Sequence, residues 1–360
     1  MGVRRATIER MTSVDTLRAA FRHVPGYLDA ATCGLPARAT VDAMRDALDT
    51  WQAGKADLGI YDEAVAASRA AYAQLVGVDA SWVAVGSQAS ALVGLVAASV
   101  PDGAEVVTID GDFASVVFPF LAHADRGVTV RTVSLESLAE EIRPSTDVVA
   151  FSLVQSVDGR VADLDAVRTA AAAAGALTVC DVTQAAGWLP VDATLVDVTV
   201  CASYKWLSAP RGTAFLTVRP ELLDRLRPTS AGWYAGEEIW SSVYGPEMAL
   251  ARDARRFDVS PAWLCWVGAV PALELFADAE REAVHRYTVG LADAFRAGVG
   301  LPPGGSAIVR LPDDAAGSRR ALLATQGTRA AGRGGGVRLA FHVWNDIADV
   351  ERAVATLTLS

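Results

Sequence analysis

The stretch DVVAFSLVQSVDGRVADLDAVRTAAAAAGALTVCDVTQAAGWLPVDATLVDVTVC (147–201) decides the fold. It contains three short apolar runs: DVVAFSLV (147–154), LTVCD (177–181) and VDVTVC (196–201). An Ala-rich helical run, 163–174, separates the first two. Nearly continuous apolar runs suit strands covered on both faces. Their alternation with helices implies a mostly parallel α/β sheet. The pattern extends outward through WVAV (82–85), EVVTID (105–110) and VTVRTV (128–133) on one side and TAFLTV (213–218) on the other. That makes a seven-stranded sheet, with further helices expected over 88–100 and 114–124. In such sheets ligands bind beyond the carboxyl ends of the strands, so the residues just after each strand carry the functional information.

Beyond the sheet the pattern breaks. Residues 219–246, RPELLDRLRPTSAGWYAGEEIWSSVYGP, are rich in Pro, Gly and Trp and read as irregular. From about 261 a helical stretch leads into a smaller unit that ends in VRLAFHVW (337–344) and DIADVERAVATL. The N-terminal helix is expected to pack on the same unit. This gives a large domain over 26–260 and a smaller α+β domain from 1–25 and 261–360. GRGGG (332–336) reads as a flexible hairpin loop.

The 360 residues are about half apolar, and the charges sum to −10, enough for a sizeable core and too apolar for disorder. The acidic balance argues against nucleic acid and anionic membranes as partners. No apolar run reaches bilayer length, and MGVRRATIERMTSVDTLRAAF (1–21) lacks a secretory h-region. Cys33, Cys180, Cys201 and Cys265 are far apart, which argues against a zinc site and a disulfide framework. A reduced, cytoplasmic protein is expected. His23 and His123 read as surface or helix-end residues and His285 as part of a helix face. His342 lies in the Arg338 segment. No metal-ligand set surrounds any of them.

Four pieces after the strands carry chemistry. Lys205, in CASYKWLSAPRG, lies in apolar surroundings where an ammonium is costly. That cost falls if the amine forms a Schiff base with an aldehyde cofactor, although a surface lysine in a hairpin fits the same letters. Asp181 ends LTVCD, where it can keep a pyridine nitrogen protonated or merely cap a helix, and Gln184 can reach a ring hydroxyl. GSQAS (86–90) can turn Ser87 and Gln88 toward an anion at a helix N-terminus, or serve as ordinary capping. Arg338, inside an apolar strand, needs a buried partner, either a substrate carboxylate or a structural acid. No GxGxxG or GxxxxGK[ST] is present.

Together these pieces resemble the pyridoxal-phosphate enzymes of fold type I, class V, the family of cysteine desulfurases, selenocysteine lyases, kynureninases and C–S lyases. YLDAATCGLP (27–36), GSQASALVG, DGDFASVVFPF (110–120), CDVTQ, SYKW, RFDVSP (256–261) and VRLAFHVWN follow that family's order of motifs. The resemblance implies pyridoxal 5′-phosphate as cofactor, Lys205 as the Schiff-base lysine and Phe113 as the ring stacked on the pyridine. It implies a phosphate shell of Ser87, Gln88, Ser203 and Tyr204, with Ser260 contributed by a partner subunit. Arg338 would bind the carboxylate of an amino-acid substrate, and the sites would be shared in a homodimer. A Trp-rich irregular surface at 233–266 supports the dimer.

Departures from the pattern bear on the reaction. Desulfurases carry a nucleophilic cysteine in the loop before this arginine, whereas ATQGTRAAGRGGGVRL has none. Cys265, in WLCWVG, reads as an inert buried thiol, Cys180 and Cys201 as core, and Cys33 as a cysteine near the site. Phe113 and Tyr204 stand where the family often has histidine, which leaves Lys205 as the main acid/base group with Tyr204 as a helper. The resemblance is greatest to C–S lyases of the ergothioneine-pathway type, which act on a cysteine S-conjugate or its sulfoxide. An aminotransferase or an oxidative deaminase remains the alternative, followed by a desulfurase or a non-catalytic homologue.

Overall fold

The computed structural model describes residues 13–358. All seven expected strands form. They are β1 (Val83–Gly86), β2 (Glu105–Ile109), β3 (Thr129–Val133), β4 (Val148–Ser152), β5 (Leu177–Asp181), β6 (Val198–Ala202) and β7 (Ala214–Val218). They form one sheet in the order β1-β7-β6-β5-β4-β2-β3. Only β7 runs against its neighbours, pairing antiparallel with both β1 and β6. β1 therefore points the same way as β4, β5 and β6, so their carboxyl ends share one edge. The start of β7 lies at that edge too.

Helices cover both faces. On one side lie α1 (Val14–Ala19), α3 (Leu58–Val76) and α6 (Leu164–Ala174), as shown by the core they share, and α2 is Arg38–Gln52. On the other side α4 (Ala89–Ala97) and α5 (Ala114–Leu121) bury Leu92, Val96, Val116 and Phe120 against Val106, Val148 and Val200. Local chemistry sets the helix ends. The Asp163 side chain accepts from Ala166 N at 3.0 Å to start α6, and Gly175, at φ +72°, ends it so that β5 can begin. The helix α7 (Trp263–Ala277) packs against α2 and α3.

The smaller unit is a three-stranded antiparallel sheet, β8 (Ile308–Pro312), β10 (Gly336–Ala340) and β9 (Ala331–Arg333), with helices α8 (Arg281–Gly298), α9 (Ser318–Thr325) and α10 (Ile347–Thr358). Val309, Leu311, Val337 and Leu339 alternate onto the face that packs against Leu291, Phe295 and Leu323. The expected N-terminal packing is found for α1, where Arg18 bonds Asp346 at 2.8 Å and the Tyr287 hydroxyl at 3.3 Å; residues 1–12 lie outside the described part. The strand read as 337–344 stops at Ala340, and Phe341–Trp344 turn into the core. The irregular segment after β7 holds only short 3-10 turns. Its Trp240, Tyr244 and Met248 are exposed, but Trp266 is buried, so only part of the tryptophan-rich stretch is surface. No described helix is long and apolar enough to cross a membrane.

Candidate active site

The edge where β1, β4, β5 and β6 end opens into a cleft of about 140 Å³. Ser87 and Gln88 follow β1, Phe113 follows β2, Asp181 ends β5 and Lys205 follows β6, and all of them line it. The parallel register thus gathers residues that lie more than a hundred positions apart in the chain.

Lys205 is 5% exposed, with Nζ 5.1 Å from the Phe113 ring centre and 5.8 Å from that of Tyr204. Burial pulls its ammonium down to about 8; Asp181 opposes this and Arg338 adds to it. The loop holding the amine is tightly fixed. Gly34 N donates to Tyr204 O at 2.9 Å, and a Cβ on Gly34 would collide with the Lys205 carbonyl. Burial pushes the Asp181 carboxyl up, while bonds from Thr183, including its N–H at 2.8 Å, and the charge of Lys205 hold it down.

At the opposite end of the cleft, α4 begins without a side-chain cap, so its first amides face the cleft free of a side-chain acceptor. Ser87, Ser90 and Ser115 line the cleft too, and among the described residues their hydroxyls take no hydrogen-bond partner. A buried ion pair steadies this end. Arg69 Nη2 meets Asp258 Oδ2 at 2.6 Å, and Val85 N donates to Asp258 Oδ1 at 2.8 Å.

Arg338 projects from β10 with its side chain 1% exposed. Its Nη2 donates to Thr32 Oγ1 at 2.8 Å, and its Nη1 donates to the Ser156 hydroxyl at 3.2 Å and to the Ser156 carbonyl. Arg338 Nε and Asp29 Oδ1 are buried without a hydrogen-bond partner. Burial pulls the guanidinium down to about 10. Gln184 reaches the cleft, but both amide hydrogens are engaged, by Ala31 O and Ser156 Oγ at 3.0 Å each. A ring oxygen would have to displace Ser156 to use it.

Two expected residues are placed elsewhere. Ser203 is fully buried, and its hydroxyl bonds Thr213 O at 2.9 Å and Thr213 Oγ1 at 2.6 Å, so it does not line the cleft. Ser260 is exposed and outside the cleft of its own chain. Cys265 is half-buried rather than core: it lines a surface hollow beside Trp51 and Trp263. Cys180 and Cys201 are core thiols pushed up by burial, and Cys33 is exposed. The sequence reading missed Ser156, Ser115, Thr183 and Arg211. Ser156 lies just beyond β4, at the end where ligands bind, and that position was its only signal. Arg211 lies 5.1 Å over the Tyr204 ring. His342 is fully buried and stacks 3.8 Å from Trp344. Its Nδ1 accepts from Val343 N at 2.7 Å, so Nε2 carries the hydrogen and donates to Trp206 O at 2.9 Å.

An uncapped helix start with free hydroxyls, an aromatic face, a buried carboxylate and a buried amine fit the phosphate, ring, ring nitrogen and aldehyde of pyridoxal 5′-phosphate. The family model described as aminotransferase class-V matches residues 26–313. An uncharacterized aminotransferase of Bacillus subtilis, YcbU, is 30% identical over 313 residues, 80% of this chain and 81% of its own length. The cysteine desulfurase CsdA of Escherichia coli superposes with a TM-score of 0.84 at 21% identity, covering 97% of this chain and 98% of the other. The cystine C–S lyase C-DES does so with a TM-score of 0.83 at 19% identity, covering 92% and 97%. With the family match over most of its length, the chain belongs to the class-V aminotransferase family of pyridoxal-phosphate enzymes.

Proposed function

We propose that the protein is a lyase that cleaves the C–S bond of a cysteine S-conjugate or its sulfoxide by β-elimination, of the kind used in ergothioneine-type pathways. The observation that carries this reading is the hairpin beside Arg338. It is closed by Gly334 and Gly335 and has no cysteine. A desulfurase keeps the sulfur on such a thiol, whereas here the sulfur leaves with its substituent.

Pyridoxal 5′-phosphate, when bound, supplies an electron sink for charge developing at the substrate α-carbon. Ser87, Gln88 and the start of α4 would hold its phosphate, Phe113 its ring face and Asp181 its ring nitrogen. Arg338 takes the substrate carboxylate and gives up its bonds to Ser156 and Thr32. Lys205 Nζ takes the α-proton; with its ammonium near 8, a useful fraction is neutral at physiological pH. Phe113 excludes water from that face but takes no proton. The Cα–H and Cβ–S bonds break, the sulfur leaves as thiolate or sulfenate, and the released 2-aminoacrylate hydrolyses to pyruvate and ammonia. An apolar hollow of about 490 Å³, lined in part by Val41, Met44 and Leu48, shares Tyr204 and Arg211 with the cleft and gives the sulfur substituent room. The protein acts as a homodimer in this reading, with Ser260 reaching the partner's phosphate end. The exposed Trp51, Leu58 and Ile60 supply apolar surface for that contact.

An aminotransferase would use the same residues, and YcbU carries that name. The separating measurement is pyruvate release from S-ethyl-L-cysteine and its sulfoxide without added keto acid, with Lys205→Ala as control. Catalytic, Lys205-dependent pyruvate supports the lyase. Conversion of the cofactor to its amine form without pyruvate refutes it in favour of amine transfer.

A further inference from the structure

The cleft needs positive charge for the phosphate it receives. A phosphate monoester carries about −1.5 to −2 charge near neutral pH. Among the described residues, the charged side chains that line the cleft are Asp181, Lys205 and Arg211. In the arrangement above, Asp181 faces the ring nitrogen and Lys205 the aldehyde. The start of α4 offers only about half a positive charge. Ser87, Ser90 and Ser115 offer hydroxyls, which are neutral. Arg211 is the cation without a role.

The sheet order carries Arg211 to the phosphate end. β7 lies between β1 and β6, and its first residue, Ala214, stands opposite Gly86 of β1 and Ala202 of β6. Because β7 runs against both, the residues that lead into it enter between the segments that leave β1 and β6. Ser87 and Gln88 follow Gly86 directly, and Arg211 precedes Ala214 by three residues. The Arg211 guanidinium lies 5.1 Å over the Tyr204 ring, whose centre is also 5.8 Å from Lys205 Nζ.

This cation has no acid partner. Arg211 is exposed, and among the described residues its guanidinium forms no ion pair and no hydrogen bond. Its backbone, by contrast, is pinned. Cys265 Sγ donates to the Arg211 carbonyl at 3.4 Å, and Thr213 Oγ1 donates to the Pro210 carbonyl at 2.8 Å. The Thr213 carbonyl accepts from Ser203 N at 3.2 Å. Ser203, which turns away from the cleft, thus helps to hold the loop that presents Arg211. A fixed backbone, an aromatic ring against the guanidinium and free N–H groups suit a planar fork to two phosphate oxygens.

We propose that Arg211 binds the phosphate of pyridoxal 5′-phosphate, beside Ser87, Gln88 and the first amides of α4. The assignment does not depend on the lyase reading, because the same phosphate is held whatever reaction follows. Arg211 also lines the apolar hollow. The rival role is therefore contact with an acidic group on the sulfur substituent, and the test separates the two.

The cofactor-free protein is titrated with pyridoxal 5′-phosphate and with pyridoxal, which lacks the phosphate, and binding is followed by cofactor absorbance. Arg211→Gln should weaken pyridoxal 5′-phosphate at least about tenfold and leave pyridoxal within about twofold. Arg211→Lys should recover part of the loss, and high salt should shrink the difference between wild type and Arg211→Gln. The cofactor-free proteins should melt together, and the two loaded at equal cofactor concentration should melt apart. Unchanged affinity of Arg211→Gln for pyridoxal 5′-phosphate, or equal losses for the two compounds, would overturn the assignment. The holoenzymes are also titrated with S-(2-carboxyethyl)-L-cysteine. A loss confined to that acid, with cofactor affinity intact, would overturn the phosphate role in favour of the hollow.

Discussion

The Arg69–Asp258 pair anchors the phosphate end of the cleft, so breaking it should cost both stability and cofactor affinity. The side chains are 9% and 1% exposed. Two contacts, at 2.6 and 3.3 Å, join them, Val85 N donates to the same carboxylate, and Arg69 also bonds the Val83 carbonyl. Arg69→Met leaves a buried carboxylate with one backbone donor and should cost about 3–5 kcal/mol. Asp258→Asn keeps an acceptor for Val85 N but strands the guanidinium, at a similar cost. The double variant removes both charges and should lie within about 1–2 kcal/mol of wild type. The coupling energy from urea unfolding of the four proteins should therefore be at least about 2 kcal/mol. Val85 leads directly into Gly86–Gln88, so the single variants should also bind pyridoxal phosphate more weakly. The pH dependence has a definite sign. Burial pushes the Asp258 carboxyl up and Arg69 opposes it. Without Arg69 the carboxyl rises further above its unfolded value, so the native state binds more protons than the unfolded state in the window between the two. Stability then falls as pH rises through that window, and the deficit of Arg69→Met should be larger at pH 8 than at pH 5. A cost under about 1 kcal/mol for Arg69→Met, or single-variant costs that simply add, would refute this account.

Two further outcomes follow from buried titrating groups. In the cofactor-free protein the ammonium of Lys205 is pulled from 10.5 to about 8, so at pH 7 its burial opposes folding by up to about 3 kcal/mol. Between pH 8 and 10.5 the unfolded state binds more protons, so wild-type stability should rise with pH there. Lys205→Met should abolish that rise and unfold no earlier than wild type at pH 7 by thermal melting; a less stable variant with the slope intact would refute this. His342→Phe should strand the Trp206 carbonyl and the Val343 N–H, at about 2–5 kcal/mol. Burial pushes His342 down to about 3, so wild type should lose stability from this group as pH falls from about 6.5 toward 3, and the variant should lack that part of the acid slope.

The sheet was legible because each strand is a short, nearly all-apolar run, a pattern that burial on both faces enforces. The antiparallel placement of β7 was not legible, since its AFLTV reads the same in either direction of pairing. The site was legible where chemistry was costly to bury: Lys205, Asp181 and Arg338 are charges in apolar surroundings; the first two line the cleft, and Arg338 is buried against Ser156 of its wall. Ser203 misled because it lies two residues before Lys205 but turns to Thr213 across the loop, a non-local bond. Ser156 and Thr32 were invisible because each is an ordinary loop residue until Arg338, more than 180 positions away, is folded against it.

A network around Trp206 links the segment of Lys205 to that of Arg338, far apart in the chain. Gln184 Oε1 accepts from Trp206 Nε1 at 2.8 Å, and His342 Nε2 donates to the Trp206 carbonyl at 2.9 Å. Trp206 follows Lys205 directly, and His342 lies four residues beyond Arg338. Gln184 also bonds Ser156, which receives Arg338. The bonds therefore close a ring that runs from Lys205 through Trp206 and His342 along β10 to Arg338, then back through Ser156 and Gln184. Because Ser156 Oγ accepts from both Gln184 and Arg338, its own hydrogen remains for a third acceptor. A carboxylate that enters beside Arg338 meets that O–H as well as the guanidinium. If Arg338 takes the substrate carboxylate as proposed, Ser156 is placed to stay in contact with that anion, so that binding it would leave the ring around Lys205 closed.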